Sequence, residues 1–102
     1  MAYSFTVRFA WSERKNRQNQ RKHGVSFDEA KRLFESGEDY LEIYDADHST
    51  VEERFIAIGP IARGVVLVIW TEREEDVIRI ISARFATRRE SALYRAHKDS
   101  NR

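Results

Sequence analysis

The sequence predicts an α+β domain, RelE-like in outline: an N-terminal strand and two helices, then an antiparallel meander sheet and a C-terminal helix. Three observations predict this order. Aromatic residues alternate with small or polar ones at the start, two serine-capped polar-to-amphipathic segments follow, and three apolar runs joined by short links lead into a threonine-capped segment. All 102 residues are read as one small domain, with 98–102 a frayed tail.

Tyr3, Phe5, Val7, Phe9 and Trp11 alternate with Ser4, Thr6, Arg8 and Ala10, the period of a half-buried strand. Ser12 can cap a helix running to about Lys22. That segment has no apolar stripe, so it needs something to hold it: the flanking Trp11 and His23, or an external ligand or protein. Gly24 supplies the left-handed residue that ends it and leaves His23 at the negative end of the helix. Ser26 to Glu29 spells a capping box, Val25 can staple to Ala30, and Phe27, Ala30, Leu33 and Phe34 form the apolar face of a core helix ending near 35–37. Residues 40–44 read as a short strand and 45–50 as a polar turn. Strands follow at 53–58, 65–71 and 77–85. Their links are too short for parallel crossovers, so they pair antiparallel, and the unbroken apolar run 65–70 belongs to a central strand covered on both faces. Thr87 and Glu90 make another capping box, which starts a helix to about His97.

The absence of cysteine excludes disulfides and thiolate metal sites and points to a reducing, cytoplasmic setting. No segment is long and apolar enough to cross a bilayer, and no signal peptide is visible. A formal net charge of +1 conceals segregation. Residues 14–22 carry Lys and Arg but no acid, residues 33–53 carry Asp and Glu but no Lys or Arg, and the chain from Arg84 onward is again mostly basic. A cationic face for a polyanion fits this pattern, as does a self-compensating surface.

The sharpest local signal is the passage from the last strand to the last helix. Arg79, Arg84, Arg88 and Arg89 fall within eleven positions, and Arg88 and Arg89 occupy a first helical turn, where cations cost roughly 0.3–1 kcal/mol each. A phosphate bound there offsets the cost; solvation, or pairing with Glu90, is the plainer alternative. Arg79, Ser82 and Arg84 interrupt an apolar strand, and for Arg79 a structural ion pair with Glu53 or Glu72 is the expected role ahead of catalysis. Asp45, Asp47, His48, Glu52 and Glu53 cluster, but without the spacing of a calcium loop or a zinc site, so no metal is expected. Neither a nucleophile elbow nor a glycine-rich phosphate loop is present, and no cofactor is expected. Cleaving RNA without metal requires a base, an acid and cations around the phosphate. The acid–base candidates are His23, Glu53 and Tyr94, and histidine is the one type that ordinarily titrates near neutrality.

Trp11, Lys15, Asn19, the run K-H-G-V-S-F from Lys22 to Phe27, D-H-S at 47–49, E-R-F at 53–55, T-E-R at 71–73 and I-R-I-I-S-A-R-F-A-T-R-R-E from Ile78 to Glu90 together resemble the BrnT family of bacterial toxins. The likeness runs from about Phe9 to Tyr94. It implies a RelE-like endoribonuclease toxin of a type II toxin–antitoxin module, one that cuts RNA and stops translation. A cognate antitoxin, BrnA-like and a DNA-binding dimer, neutralises it, in a 2:2 complex that represses its own operator DNA. Carried over by position, the pattern makes Arg79, Arg84 and Arg88 functional, with a tyrosine in the last helix matched by Tyr94. The expected catalytic set is then His23, Glu53, Arg79, Arg84 and Arg88, with Lys22, Arg54, Arg73, Arg89 and Tyr94 binding substrate. Ser12 and Phe85 depart from the family pattern, Phe85 replacing a residue that is basic in many relatives. The competing expectation is a non-catalytic binding module that acts as co-repressor with a DNA-binding antitoxin.

Overall fold

The computed structural model describes residues 7–100. Its elements are β1 (Arg8–Ala10), α1 (Glu13–His23), α2 (Phe27–Glu35), β2 (Leu41–Tyr44), β3 (Phe55–Ile61), β4 (Gly64–Glu72), β5 (Val77–Phe85) and α3 (Arg88–Ser100). Tyr3 and Phe5 of the expected first strand lie outside the described residues, as do Asn101 and Arg102. Residues 98–100, expected to fray, continue α3. Glu53 and Arg54, expected to open a strand, precede β3, and the polar turn after β2 contains a short 3₁₀ segment, Ala46–His48.

The five strands form one sheet in the order β1-β5-β4-β3-β2. Strands β2 to β5 are the antiparallel meander that the short links require. The first strand makes the sheet mixed, because β1 lies parallel to β5, with Arg8, Phe9 and Ala10 beside Val77, Ile78 and Arg79. The two helices between β1 and the meander supply the long crossover that such a pairing needs.

Helix α1 lies along the β5 edge, and one face of the sheet carries α2. Val25, Phe27, Ala30 and Leu33 pack there against Ala57, Val66, Val68, Trp70, Ile80 and Ala83, forming the larger core. The other face carries α3, which packs over β2 and β3 and places Tyr94 against Ile58 and Leu67. The central β4 contributes to both cores, as its unbroken apolar run predicts. Gly59 on β3 is a matter of clearance: a Cβ there would come within 2.7 Å of the Tyr40 Cβ.

Helix α1 is polar all round, yet two of its residues, Asn16 and Asn19, are buried. Trp11 holds its start, donating to Glu13 at 3.0 Å and meeting Phe27 edge-on, and the two asparagines tie down its middle. The Asn16 side chain accepts from the Phe27 N–H at 2.8 Å. Asn19 accepts from the Ala83 N–H at 3.1 Å and donates to the carbonyls of Ala83 and Val25 at 2.8 and 2.9 Å. A primary amide offers both a donor and an acceptor, as a strand residue does. Asn19 thus pairs with the edge of β5 beyond the point where β1 ends, and the polar helix is fixed by hydrogen bonds instead of an apolar stripe. At its C-terminus Gly24 adopts φ 73°, as the C-cap reading requires.

Candidate nucleic-acid interface

Strand β5 contains the feature that builds the site. Ile69 pairs with Ser82, but the next residue on β4, Trp70, pairs with Ile80, so Ile81 is an extra residue in a β-bulge. Arg79 and Arg84 are five positions apart, and strict alternation would send them to opposite faces. The bulge reverses the parity. Arg79 stands beside Thr71 and Arg84 beside Leu67, while Ile80 and Ala83 both point into the larger core. Arg79, Ser82 and Arg84 therefore share the face that carries α3 at its far side.

Along the edge of this face runs the basic helix α1. Lys15, Gln18, Asn19 and Lys22 follow helical spacing on one stripe, and with His23, Ile81 and Ser82 they line an open cleft of about 240 Å³. His23 and Lys22, expected at the site, are thus at the bulge of β5. Lys15, Gln18 and Ser82 were not expected there. Their signal in the sequence was the 15-18-22 spacing on a helix without an apolar face.

Arg84 is held by an internal anion. Its guanidinium donates two parallel bonds to the Glu90 carboxylate, at 2.7 and 2.8 Å. The same carboxylate accepts from the Thr87 N–H at 2.9 Å, and the Thr87 hydroxyl accepts from the Glu90 N–H at 3.2 Å, completing the expected capping box. The anion at the start of α3 is therefore Glu90 itself, which pairs with Arg84 and not with Arg88 or Arg89. The Arg84 guanidinium holds the Glu90 carboxyl down at about 2, and Glu90 in turn raises the pKa of Arg84. Arg88 and Arg89 are exposed in the first turn of α3. Among the described residues no hydrogen bond or ion pair engages their side chains or that of Arg79. The structural ion pair of Arg79 with Glu53 or Glu72 is not formed.

A second group gathers where β3 begins and β4 ends. The Thr71 hydroxyl donates to the Glu53 carbonyl at 2.6 Å, so Thr71 stands between Glu53 and Arg79. Arg54 and Arg73 both approach Glu52, at 3.8 and 3.5 Å. The Glu53 side chain lines a larger cleft with Glu42, Glu52 and Glu72, away from the lysines of α1. Tyr94 is a core residue, 5 % exposed, and fixes α3 to the sheet. Asp45 meets His48 at 3.0 Å, and among the described residues no three acidic or histidine side chains group as metal ligands.

Comparison with known families decides what this arrangement belongs to. The sequence profile of the ribonuclease toxin BrnT of type II toxin–antitoxin systems matches residues 11–90. The chain belongs to the BrnT family. The matched span includes α1, the whole of the sheet beyond β1, and the Thr87–Glu90 cap. The crystal structure of the Brucella abortus ribonuclease toxin BrnT, at 1.1 Å resolution, is similar to this chain at 28 % sequence identity and a TM-score of 0.63. The match covers 81 % of this chain and 100 % of that one. No curated protein matches the chain. As a BrnT-family member it is a ribonuclease toxin of a type II system, a class that works opposite an antitoxin. No helix among the described residues is long and apolar enough to cross a membrane. Of the residues expected to act, only Tyr94 lies outside the matched span.

Proposed function

We propose that this chain is a RelE-like, metal-independent endoribonuclease that stops translation in the bacterial cytoplasm by cutting RNA. In this reading the RNA backbone lies on the open sheet face. Arg79 and Arg84, with Arg88 and Arg89 at the start of α3, stabilise the charge that builds on the scissile phosphate. Lys22 steers the strand from the α1 side, and Arg54 and Arg73 extend the basic surface past Thr71. His23 takes the proton from the ribose 2′-OH and returns one to the leaving oxygen. Glu53, expected to share this role, reaches Thr71 only through its backbone carbonyl and turns its carboxylate into the cleft with Glu42 and Glu72. Because the reaction is an internal attack of that hydroxyl on phosphorus, it calls for acid–base groups and cations from the protein alone. The antitoxin, a BrnA-like DNA-binding dimer, forms a 2:2 complex that neutralises the toxin and represses the operator.

The observation that carries this reading is the bulge at Ile81, which turns Arg79, Ser82 and Arg84 to one face, with Ser82 also lining the cleft of Lys22 and His23. Inducible expression in bacteria, followed by growth and by RNA integrity, tests it. Wild type is expected to arrest growth and fragment RNA, with purified protein cutting RNA equally well in a chelator. His23→Ala and Arg84→Ala are expected to relieve toxicity; if both stay as toxic as the parent, the assigned site is wrong. The engagement of Arg84 by Glu90 favours a second reading, in which the protein binds without cutting and serves as a co-repressor subunit. Salt-dependent RNA binding with intact RNA, even with ribosomes supplied, would select it.

A further inference from the structure

On the opposite face of the sheet from Arg79 and Arg84 lies an acidic cleft of about 680 Å³, walled by Glu42, Glu52, Glu53 and Glu72 and floored by Phe55 and Trp70. Glu52 is matched by Arg54 and Arg73. Among the described residues no hydrogen bond or ion pair engages the carboxylates of Glu42, Glu53 or Glu72. The rings of Phe55 and Trp70 stack at 4.8 Å, and Tyr44, half exposed, meets Phe55 at the rim. Trp70 is 7 % exposed, and its buried indole N–H has no acceptor among the described residues. Buried donors are nearly always satisfied, so this one marks a place where an acceptor belongs.

We infer that this cleft is the docking site for an extended, lysine- or arginine-bearing segment of the antitoxin. The cation of such a segment sits among three unmatched carboxylates and over the aromatic floor, and a backbone carbonyl beside it accepts from Trp70. RNA is the wrong sign for this cleft. The inference rests on membership in a toxin–antitoxin family and not on the assigned RNA chemistry, in which Glu42 and Glu72 have no part.

The test mixes the full-length toxin with the antitoxin encoded beside it, each purified alone, and reads affinity by calorimetry at two salt concentrations. Glu42→Gln/Glu72→Gln is expected to weaken binding roughly tenfold or more and to flatten its salt dependence, since it removes charges facing a cation. Glu38→Gln/Glu75→Gln, exposed elsewhere, is the control and is expected to bind like the parent; both double variants are expected to keep parental RNA cleavage. Equal affinity of the two double variants overturns the proposal. If Glu42→Gln/Glu72→Gln does not fold, the unmodified pair decides. The indole N–H resonance of Trp70 is expected to shift and exchange more slowly on binding, with that of Trp11, already bonded to Glu13, as reference. An unmoved Trp70 resonance overturns the proposal equally. A toxin that binds through this cleft yet leaves RNA intact sinks the nuclease reading and keeps this one.

Discussion

At the scale of single residues, one carboxylate joins two elements. Glu90 takes two guanidinium bonds from Arg84 and one N–H bond from Thr87, so the end of β5 and the start of α3 share a single anion. Its folded-state pKa of about 2 lies below the ordinary 4.5, so the unfolded chain binds that proton more readily. The stabilisation is complete above about pH 4.5 and fades as pH falls toward 2. Arg84 is 36 % exposed, which lets water screen the pair. Glu90→Gln is therefore expected to cost about 1–2 kcal/mol near neutrality, with the gap from the parent closing as pH approaches 2. Denaturant unfolding of both proteins at the two pH values measures this; a gap that does not change with pH would refute the linkage. Arg84 was legible as an unusual charge at a helix start, but its partner was not. Arg84, Arg88 and Arg89 all lie within six residues of Glu90, the one acid between residues 77 and 98, and only the geometry of the turn decides which of them it takes.

At the scale of elements, α1 is held along its middle by its asparagines. Replacing Asn19 removes three hydrogen bonds and leaves the buried N–H and C=O of Ala83 open at the strand edge. Asn19→Ala is expected to cost about 2–4 kcal/mol, whereas Gln18→Ala on the exposed surface stays within about 0.5 kcal/mol. Equilibrium unfolding curves for the two variants check the difference; similar midpoints would mean that α1 is held by something else. The amphipathic α2 was readable from its apolar spacing, since Phe27, Ala30 and Leu33 are its buried residues. In α1 the same method sees only polarity, because an anchoring amide and a solvated one look alike in sequence.

Across the whole molecule, a formal net charge of +1 is divided between two faces of one sheet. Arginines and the lysines of α1 border one face, and the unmatched carboxylates of Glu42, Glu53 and Glu72 sit on the other. Such separation directs a polyanion to one side and a cationic partner to the other more than it strengthens either association. For RNA bound on the arginine face, log K is expected to fall linearly with log salt. Arg79→Gln/Arg84→Gln should make the slope shallower by about 0.7 for each phosphate no longer neutralised, about 1.4 for two. Titrations of a single-stranded RNA at several salt concentrations read this directly, and an unchanged slope would place the phosphates elsewhere.

By itself the sequence determined where helices begin, which apolar residues of α2 and β4 enter the cores, that β3 to β5 form a meander, and to which family the chain belongs, though not that Tyr94, expected to bind substrate, is instead a core residue. These follow from short-range physics: a cap is satisfied within three residues, and an apolar period declares itself within two turns or four strand positions. Only the tertiary structure decided that β1 lies parallel to β5, that a bulge at Ile81 turns Arg79 and Arg84 to the same face, and that Asn19 closes the strand edge. Each of those depends on hydrogen bonds between distant segments, 64 residues apart in the case of Asn19 and Ala83. Such bonds are chosen by the competition among all buried donors and acceptors at once, and no local window contains that competition.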